Sequence, residues 1–378
     1  MSRMNPSPLL ALLVLLTPAV ANAQIFKSSA GDLKVETLAS GLVNPWSLAF
    51  LPDGRMLVTE RPGRMRLVTR DGKLSPPLGG VPPVFARSQG GLLDVILDRN
   101  FASNRTIYFC YAEPFDGGGR TALARAQLEA GETPGLNDVK VIYRQHGPPS
   151  RGGHFGGRIV QGADGNLFLT NGEHFIDRDM AQTLDNDLGK IVRITPEGAA
   201  PKDNPFVGRA GARPEIWSIG HRNPQGLAIN PADGKLWEQE HGPMGGDEIN
   251  IVAPGKNYGW PLVSYGLNYE GTPVGTGKAQ MPGMEDSVWH WTPSIAPSGL
   301  TFYTRDLFPA WKGSLFSGAL KFQLLSRLEI KGDTAVKEER LLQGLRERIR
   351  DVRQGPDGAL YLLTDSGAGR ILRVSPAK

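Results

Sequence analysis

The chain has a single cysteine, Cys110, among its 378 residues, so no internal disulfide can form and a disulfide-stapled framework is excluded. Cys110 lies in the strand-like run TIYFCYAE, where a buried, inert thiol is expected rather than a nucleophile. Runs of like charge are also missing. The 42 basic and 38 acidic residues are mixed throughout, and a net charge of +4 without a basic run gives no footprint for nucleic acid. No apolar run approaches the roughly 20 residues needed to cross a bilayer, so no membrane span is expected. There is no linker or composition break between Gln24 and Lys378. That favours one domain over residues 24–378 against a pair of β-sandwiches.

The N-terminus carries a processing signal. Arg3 supplies a positive start, Leu9 to Leu16 a short apolar core, and Ala21-Asn22-Ala23 a small-residue cleavage site. Residues 1–23 are therefore expected to be a signal peptide, and the mature protein to be exported, periplasmic or secreted.

What is abundant is turn chemistry. Gly 48 and Pro 30 make the chain turn-rich while it remains an ordinary globular composition with 40% hydrophobic residues. A hairpin pattern recurs: alternating apolar residues, an Asp-Gly turn, then a second alternating strand. It is clear in LAFLPDGRMLVTERPGRMRLV from Leu48, IVQGADGNLFLTNGE from Ile159, LAINPADGKLWEQEHG from Leu227 and VRQGPDGALYLLTDSGAGRILRV from Val352. Weaker copies begin at Leu92 and Gly299. Six such units, none able to cover its own apolar faces, predict an all-β fold, a six-bladed β-propeller. In a propeller, equivalent points of distant blades converge on one mouth.

Unusual polar clusters fall at such equivalent points. They are Gln89-Gly90-Gly91; Arg151 to Gly157 around His154, with Gly172-Glu173-His174 after its hairpin; His221-Arg222-Asn223-Pro224-Gln225, with Glu240-His241-Gly242-Pro243 after its own; Gly318 to Lys321; and Arg348-Ile349-Arg350-Asp351. The stretch from Ile216 to Pro261 is the densest, with more donors and acceptors than a core could satisfy. Arg222, Lys321, Arg348 and Arg350 come from three blades and together would form an anion site. The spacing of two sets Arg348 and Arg350 on one face of a strand. His154, bracketed by glycines, is placed to act as a general base. Separately each has a plain reading: a turn histidine, a solvated strand edge, an acidic turn at Gly245 to Glu248. Trp217, Trp237 and Trp260 read as core, while Trp289 and Trp291 flank His290 in a Pro-rich loop.

The runs NPWSLAFLPDGRMLVTER, QGGLLDV, HFGGRIV, GHRNPQGLAINP, EHGPMGGDEINIVAPGKNYGWP, APSGLTFY, GALK and RIRDVRQGPDGALYLLTD occur in order across almost the whole mature chain. In these runs the chain resembles the soluble aldose sugar dehydrogenases that depend on pyrroloquinoline quinone (PQQ), relatives of soluble glucose dehydrogenase. The resemblance implies oxidation of aldose sugars at the anomeric carbon to lactones, with PQQ and Ca²⁺ as cofactors and an external electron acceptor. By resemblance His154 is the catalytic base, and Gln89, Arg222, Asn223, Gln225, Lys321, Arg348 and Arg350 contact PQQ. Gly242 and Pro243 match carbonyls that hold the active-site Ca²⁺, and Asp247, Glu248 and Tyr258 match a second, structural calcium site. Gln89 and Trp291 match positions on the sugar side. The glucose enzymes carry Asp where this chain has Glu173, and Gln where it has His241; both departures point to the broad-specificity aldose branch. Glu173 is thereby a candidate to orient His154.

Two other classes fit the same blades. A calcium-dependent lactonase would need carboxylates and Asn round a central metal and has no use for four converging cations. A non-catalytic ligand-binding propeller could lose His154 without effect.

Overall fold

The computed structural model describes residues 23–131 and 134–377. The expected signal peptide lies, apart from Ala23, outside the described residues.

Six antiparallel sheets follow one another along the chain. The first has three strands, β3 (Pro45–Phe50), β4 (Met56–Glu60) and β5 (Arg64–Val68). The next four have four strands each, and they open with β6 (Leu92–Leu97), β10 (Ile159–Gln161), β14 (Pro224–Ile229) and β18 (Pro297–Phe302). The sixth is built from β22 (Ile349–Gln354), β23 (Leu360–Thr364) and β24 (Gly369–Pro376), and two N-terminal strands complete it. Of these, β2 (Leu33–Leu42) pairs with β24 from Leu33↔Pro376 to Leu42↔Gly369, and β1 (Gln24–Phe26) lies outside it. The opening strands are neighbours all the way round, β3 to β6, β6 to β10, β10 to β14, β14 to β18, β18 to β22 and β22 back to β3. The protein is a six-bladed β-propeller, closed by its own N-terminal strands.

The ring holds because each blade is apolar on both faces. Successive strand residues point to opposite faces, so Leu57 packs towards the second blade while Met56 and Val58 pack towards the sixth. Likewise Phe109 faces the first blade, and Tyr108 and Cys110 the third. One apolar cluster fills each of the six gaps between blades. Cys110 is fully buried in one of them.

The recurring Asp-Gly turns repeat one local device. The Oδ1 atoms of Asp53, Asp164, Asp233 and Asp357 accept the N–H two residues on, at 2.9, 3.0, 3.0 and 3.2 Å. The following glycines take positive φ of 76° to 87°. These turns end the opening strands, so the beginnings of those strands gather at the other end of the ring.

There the strands are bulged. Pairing skips Trp46 between Pro45 and Ser47, Gln225 between Pro224 and Gly226, and Arg350 between Ile349 and Asp351. A longer skip spans Leu93 and Asp94. A bulge frees one residue from the pleat and re-aims its side chain. Trp46, Leu93, Gln225 and Arg350 all face one cavity at the ring's axis.

Candidate active site

That cavity has a volume of about 300 Å³ and is walled by Trp46, Arg61, Gln89, Asn223, Gln225, His241, Arg348, Arg350 and Asp365, among others. Three guanidinium groups thus face one carboxylate. Asp365 Oδ2 accepts from Arg348 at 2.9 Å and from Arg350 at 3.4 Å. Burial works to raise its pKa, but Arg350 and Arg348 outweigh that and hold it at about 2. Burial, with Arg158, Arg348 and Arg61 nearby, lowers the Arg350 guanidinium to about 10. Its Nε has no hydrogen-bond partner among the described residues.

The floor is a second charge network. Arg158 lies 4.1 Å from the Trp46 ring centroid, donates from Nε to the Gln225 carbonyl at 2.9 Å, and pairs with Asp351 at 3.0 Å. Arg353 pairs with Asp351 at 2.7 Å and Asp94 at 2.8 Å. Two cations and two anions from three blades close the axis beneath the cavity.

Polar side chains brace the walls. Gln89 Oε1 accepts the His154 N–H at 2.8 Å. Asn223 Oδ1 accepts the Gly156 N–H at 3.1 Å and Gln225 Nε2 at 3.2 Å, and Gln225 Oε1 accepts Arg350 Nη1 at 3.1 Å.

His154 lines an outer cleft of about 350 Å³ that shares Ser88 and Gln89 with the cavity, and Phe175, Ile176 and Tyr269 with a further cleft of about 280 Å³. Its backbone has φ of 50°, and His174 and Phe175 after the neighbouring hairpin have 63° and 71°. Such left-handed backbone in non-glycine residues collects at functional sites. His154 Nδ1 lies 2.7 Å from Glu173 Oε2, which also accepts the Phe175 N–H. Burial, then the Arg222 charge, lowers the imidazole's pKa below its usual value against the pull of Glu173. Burial works to raise the Glu173 carboxyl, but His154, Arg222 and the Phe175 N–H outweigh it and lower its pKa. The ionised Glu173 fixes the Nδ1–H tautomer, so Nε2 carries the lone pair of a neutral base.

Arg222 is buried beside this pair. Its carbonyl accepts the Glu173 N–H at 3.0 Å, and its own N–H donates to Glu240 Oε2. Its Nη1 donates to the Gly242 carbonyl at 2.9 Å and the His241 carbonyl at 3.1 Å, while Nε is without a partner.

The fit to PQQ can be judged from the donors. An excess of guanidinium over carboxylate in the cavity, with the Arg350 Nε unpartnered among the described residues, suits a polycarboxylate. For a second cation there is a void of about 20 Å³ lined by Glu240, Gly242, Gly246, Glu248 and Tyr258, enough for one small ion. Burial, with Glu240 and Glu238 close by, raises the Glu248 carboxyl well above its usual pKa. Arg222 also lines the void, and His221 Nδ1 lies 3.3 Å from Glu240 and 3.6 Å from Glu238, so part of that charge is balanced within the chain. The Gly242 and Pro243 carbonyls expected at the first calcium accept from Arg222 and, at 3.3 Å, from Ser294 Oγ.

Three expected residues stand elsewhere. Trp291 does not line the sugar side: it is 2% exposed within the cluster between the fourth and fifth blades, its Nε1 donating to Glu338 at 2.9 Å. Asp247 is not beside Glu248 as a ligand, because adjacent strand residues face opposite ways. Its two oxygens accept the Gly242 and Ala296 N–H groups, each at 2.8 Å. Lys321 is exposed, its ammonium 5.7 Å from the Phe322 ring, and is not among the residues walling the cavity.

Comparisons with known proteins give the family. The model of the family described as "Glucose / Sorbosone dehydrogenase" matches residues 42–373. The chain belongs to the glucose/sorbosone dehydrogenase family. It is 46% identical to the aldose sugar dehydrogenase YliI of Escherichia coli K12, over 96% of this chain and 98% of that one. A solved glucose dehydrogenase is 51% identical with a TM-score of 0.88, over 91% of this chain and 99% of that one. The PQQ-bound aldose sugar dehydrogenase of Streptomyces coelicolor is 31% identical with a TM-score of 0.75, over 91% and 98%.

Proposed function

We propose that the protein is a PQQ- and calcium-dependent dehydrogenase, acting outside the cytoplasm, that oxidises aldose sugars at the anomeric carbon to lactones. The observation that carries this is a cavity bearing Arg348 and Arg350, adjoined by a cleft holding a histidine whose Nδ1 is held by Glu173 and which feels the charge of Arg222. The PQQ-bound relative supports the choice of cofactor.

Gln89, Asn223, Gln225, Arg348 and Arg350 would hold PQQ from the cavity walls. The Gly242 and Pro243 carbonyls would hold Ca²⁺ beside it, once the donors now on them turn away, and Glu248 and Tyr258 a structural Ca²⁺. When bound, PQQ supplies an acceptor for the hydride leaving the anomeric carbon, and calcium a Lewis acid on its quinone oxygen. His154 Nε2 takes the proton of the anomeric hydroxyl. Glu173 keeps the imidazole turned for that transfer and stabilises the imidazolium that results. Arg222 offers a fixed positive charge where negative charge develops. Phe175, half-exposed and edge-on to His154 at 5.2 Å between ring centroids, covers one side of the base. The sugar loses one proton and one hydride, and electrons pass on to an external acceptor.

The test is reconstitution. Purified protein is given PQQ and Ca²⁺ and assayed for aldose oxidation with an artificial electron acceptor. Oxidation that requires PQQ supports the assignment; oxidation independent of PQQ, or none with PQQ bound, overturns it.

A further inference from the structure

Arg61 sits in the turn between β4 and β5, and its backbone is clamped on both sides. Its N–H donates to the Asn44 carbonyl at 3.0 Å, and its own carbonyl accepts the Leu92 N–H at 3.0 Å. The approach depends on Gly91, where a Cβ would fall 2.1 Å from the Arg61 carbonyl oxygen and 2.6 Å from its Cγ. With φ of 143°, Gly91 also has a backbone that other residues rarely adopt. The turn of the first blade and the entry of the second therefore lock together, and the guanidinium is delivered to the cavity wall beside Ser88, Gln89, Arg348 and Arg350.

What that guanidinium meets there is unusual. Arg348 and Arg350 share Asp365. Arg61 pairs with no carboxylate among the described residues; its hydrogen bond goes to the Ser88 carbonyl. A half-buried cation among like charges, with one neutral acceptor and no acid, is left with donors to offer an anion. The field is felt across the site, since Arg61 is among the charges that depress Arg350. Sequence gives little sign of this role, because a lone arginine in a turn looks like a solvated one.

We propose that Arg61 is a carboxylate-binding residue for the cofactor, gripping a carboxylate of PQQ from the first blade, beside the Arg348–Arg350 pair of the neighbouring sixth blade. This rests on the assignment of PQQ to the cavity. Arg61 then helps decide affinity and the orientation of the planar ring relative to His154, and takes no part in proton transfer. The plain alternative is that Arg61 only ties down the Ser88 loop.

The experiment is equilibrium dialysis of the full apo-protein against PQQ with Ca²⁺, for wild type, Arg61→Gln, Arg61→Lys and Arg70→Gln, with a thermal melt of each. Arg70 is an exposed cation of the same blade that lies outside the cavity. Arg61→Gln is expected to raise the Kd for PQQ about tenfold or more. Arg61→Lys, which keeps the charge and loses the planar fork, should raise it less, and Arg70→Gln should leave it within about twofold. If wild type binds PQQ and both Arg61 variants bind it equally well, the proposal is overturned while the assignment of the cavity stands. An Arg61→Lys protein that melts like wild type yet binds no more weakly than it overturns it too, even if Arg61→Gln fails to fold. If wild type binds no PQQ, the cofactor assignment falls first and this inference with it.

Discussion

His154 Nδ1 and Glu173 Oε2 lie 2.7 Å apart, both side chains buried, with the second Glu173 oxygen unpartnered among the described residues. They come from opposite ends of the first hairpin of the third blade. Glu173 is held in turn by the Arg222 carbonyl on its N–H and by the Phe175 N–H on its carboxylate. Proton direction at the site follows from this pair: an ionised carboxylate on Nδ1 leaves Nε2 as the base.

Glu173→Gln tests that orientation. The amide keeps the size of the side chain but can donate to Nδ1, which would place the imidazole proton on Nε2. We expect kcat for aldose oxidation to fall about 10²- to 10⁴-fold with little change in the Kd for PQQ, by analogy with the loss of the orienting carboxylate in serine proteases. Steady-state kinetics and dialysis on the reconstituted variant check this. An unchanged kcat would make Glu173 a merely structural group.

The pH dependence follows from the same neighbours. The imidazole pKa lies below its ordinary value, through burial and Arg222. The base must be neutral, so activity is full above that pKa and is lost as pH falls through it. We expect kcat/KM to stay flat from pH 8 down past about 6.5, the ordinary histidine pKa, and to decline only below it. A decline centred above that value would contradict the environment described for His154.

Cofactor affinity is expected to depend on Arg348. Arg348→Ala removes a guanidinium that pairs with Asp365 at 2.9 Å at the cavity wall. The Kd for PQQ should rise about tenfold or more, while kcat at saturating PQQ falls much less. Dialysis and kinetics on one preparation separate the two. A kcat loss with unchanged Kd would move Arg348 from holding the cofactor to the reaction.

Lys190 is a stability residue near the site. Its buried ammonium donates to the carbonyls of Met180, Ala181 and Leu188 at 2.9, 3.0 and 2.6 Å, gathering the loop that leaves Glu173. Lys190→Met should destabilise the protein by about 1–3 kcal/mol and leave the Kd for PQQ close to wild type. Denaturant unfolding measures the first. An unaffected midpoint would show that the loop holds itself.

The blades were legible because four of the six carry an Asp-Gly turn between alternating strands and the other two keep the alternation, and the expected starts at Leu48, Leu92, Ile159, Leu227, Gly299 and Val352 fall within the opening strands. The closure of the sixth blade by β1 and β2 was not, since those strands have no turn signal of their own. Nor were the bulges. Trp46, Gln225 and Arg350 reach the cavity because pairing skips them, which a strict period of two cannot reveal. Trp291 looked exposed because prolines and polar residues surround it, yet the gap between two blades absorbs it. Asp247 and Glu248 looked like one acidic ligand pair, and the pleat sets them on opposite faces. Arg61 gave no signal because its meaning lies in Gly91, in the next blade.

The most direct test is one turnover with the base removed. Wild type and His154→Gln are loaded with PQQ and Ca²⁺, mixed with excess aldose without an electron acceptor, and followed by the quinone absorbance. Wild type should lose the quinone band rapidly, and His154→Gln should retain bound PQQ with its band essentially unchanged. Loss of the band at a wild-type rate in His154→Gln would contradict the account.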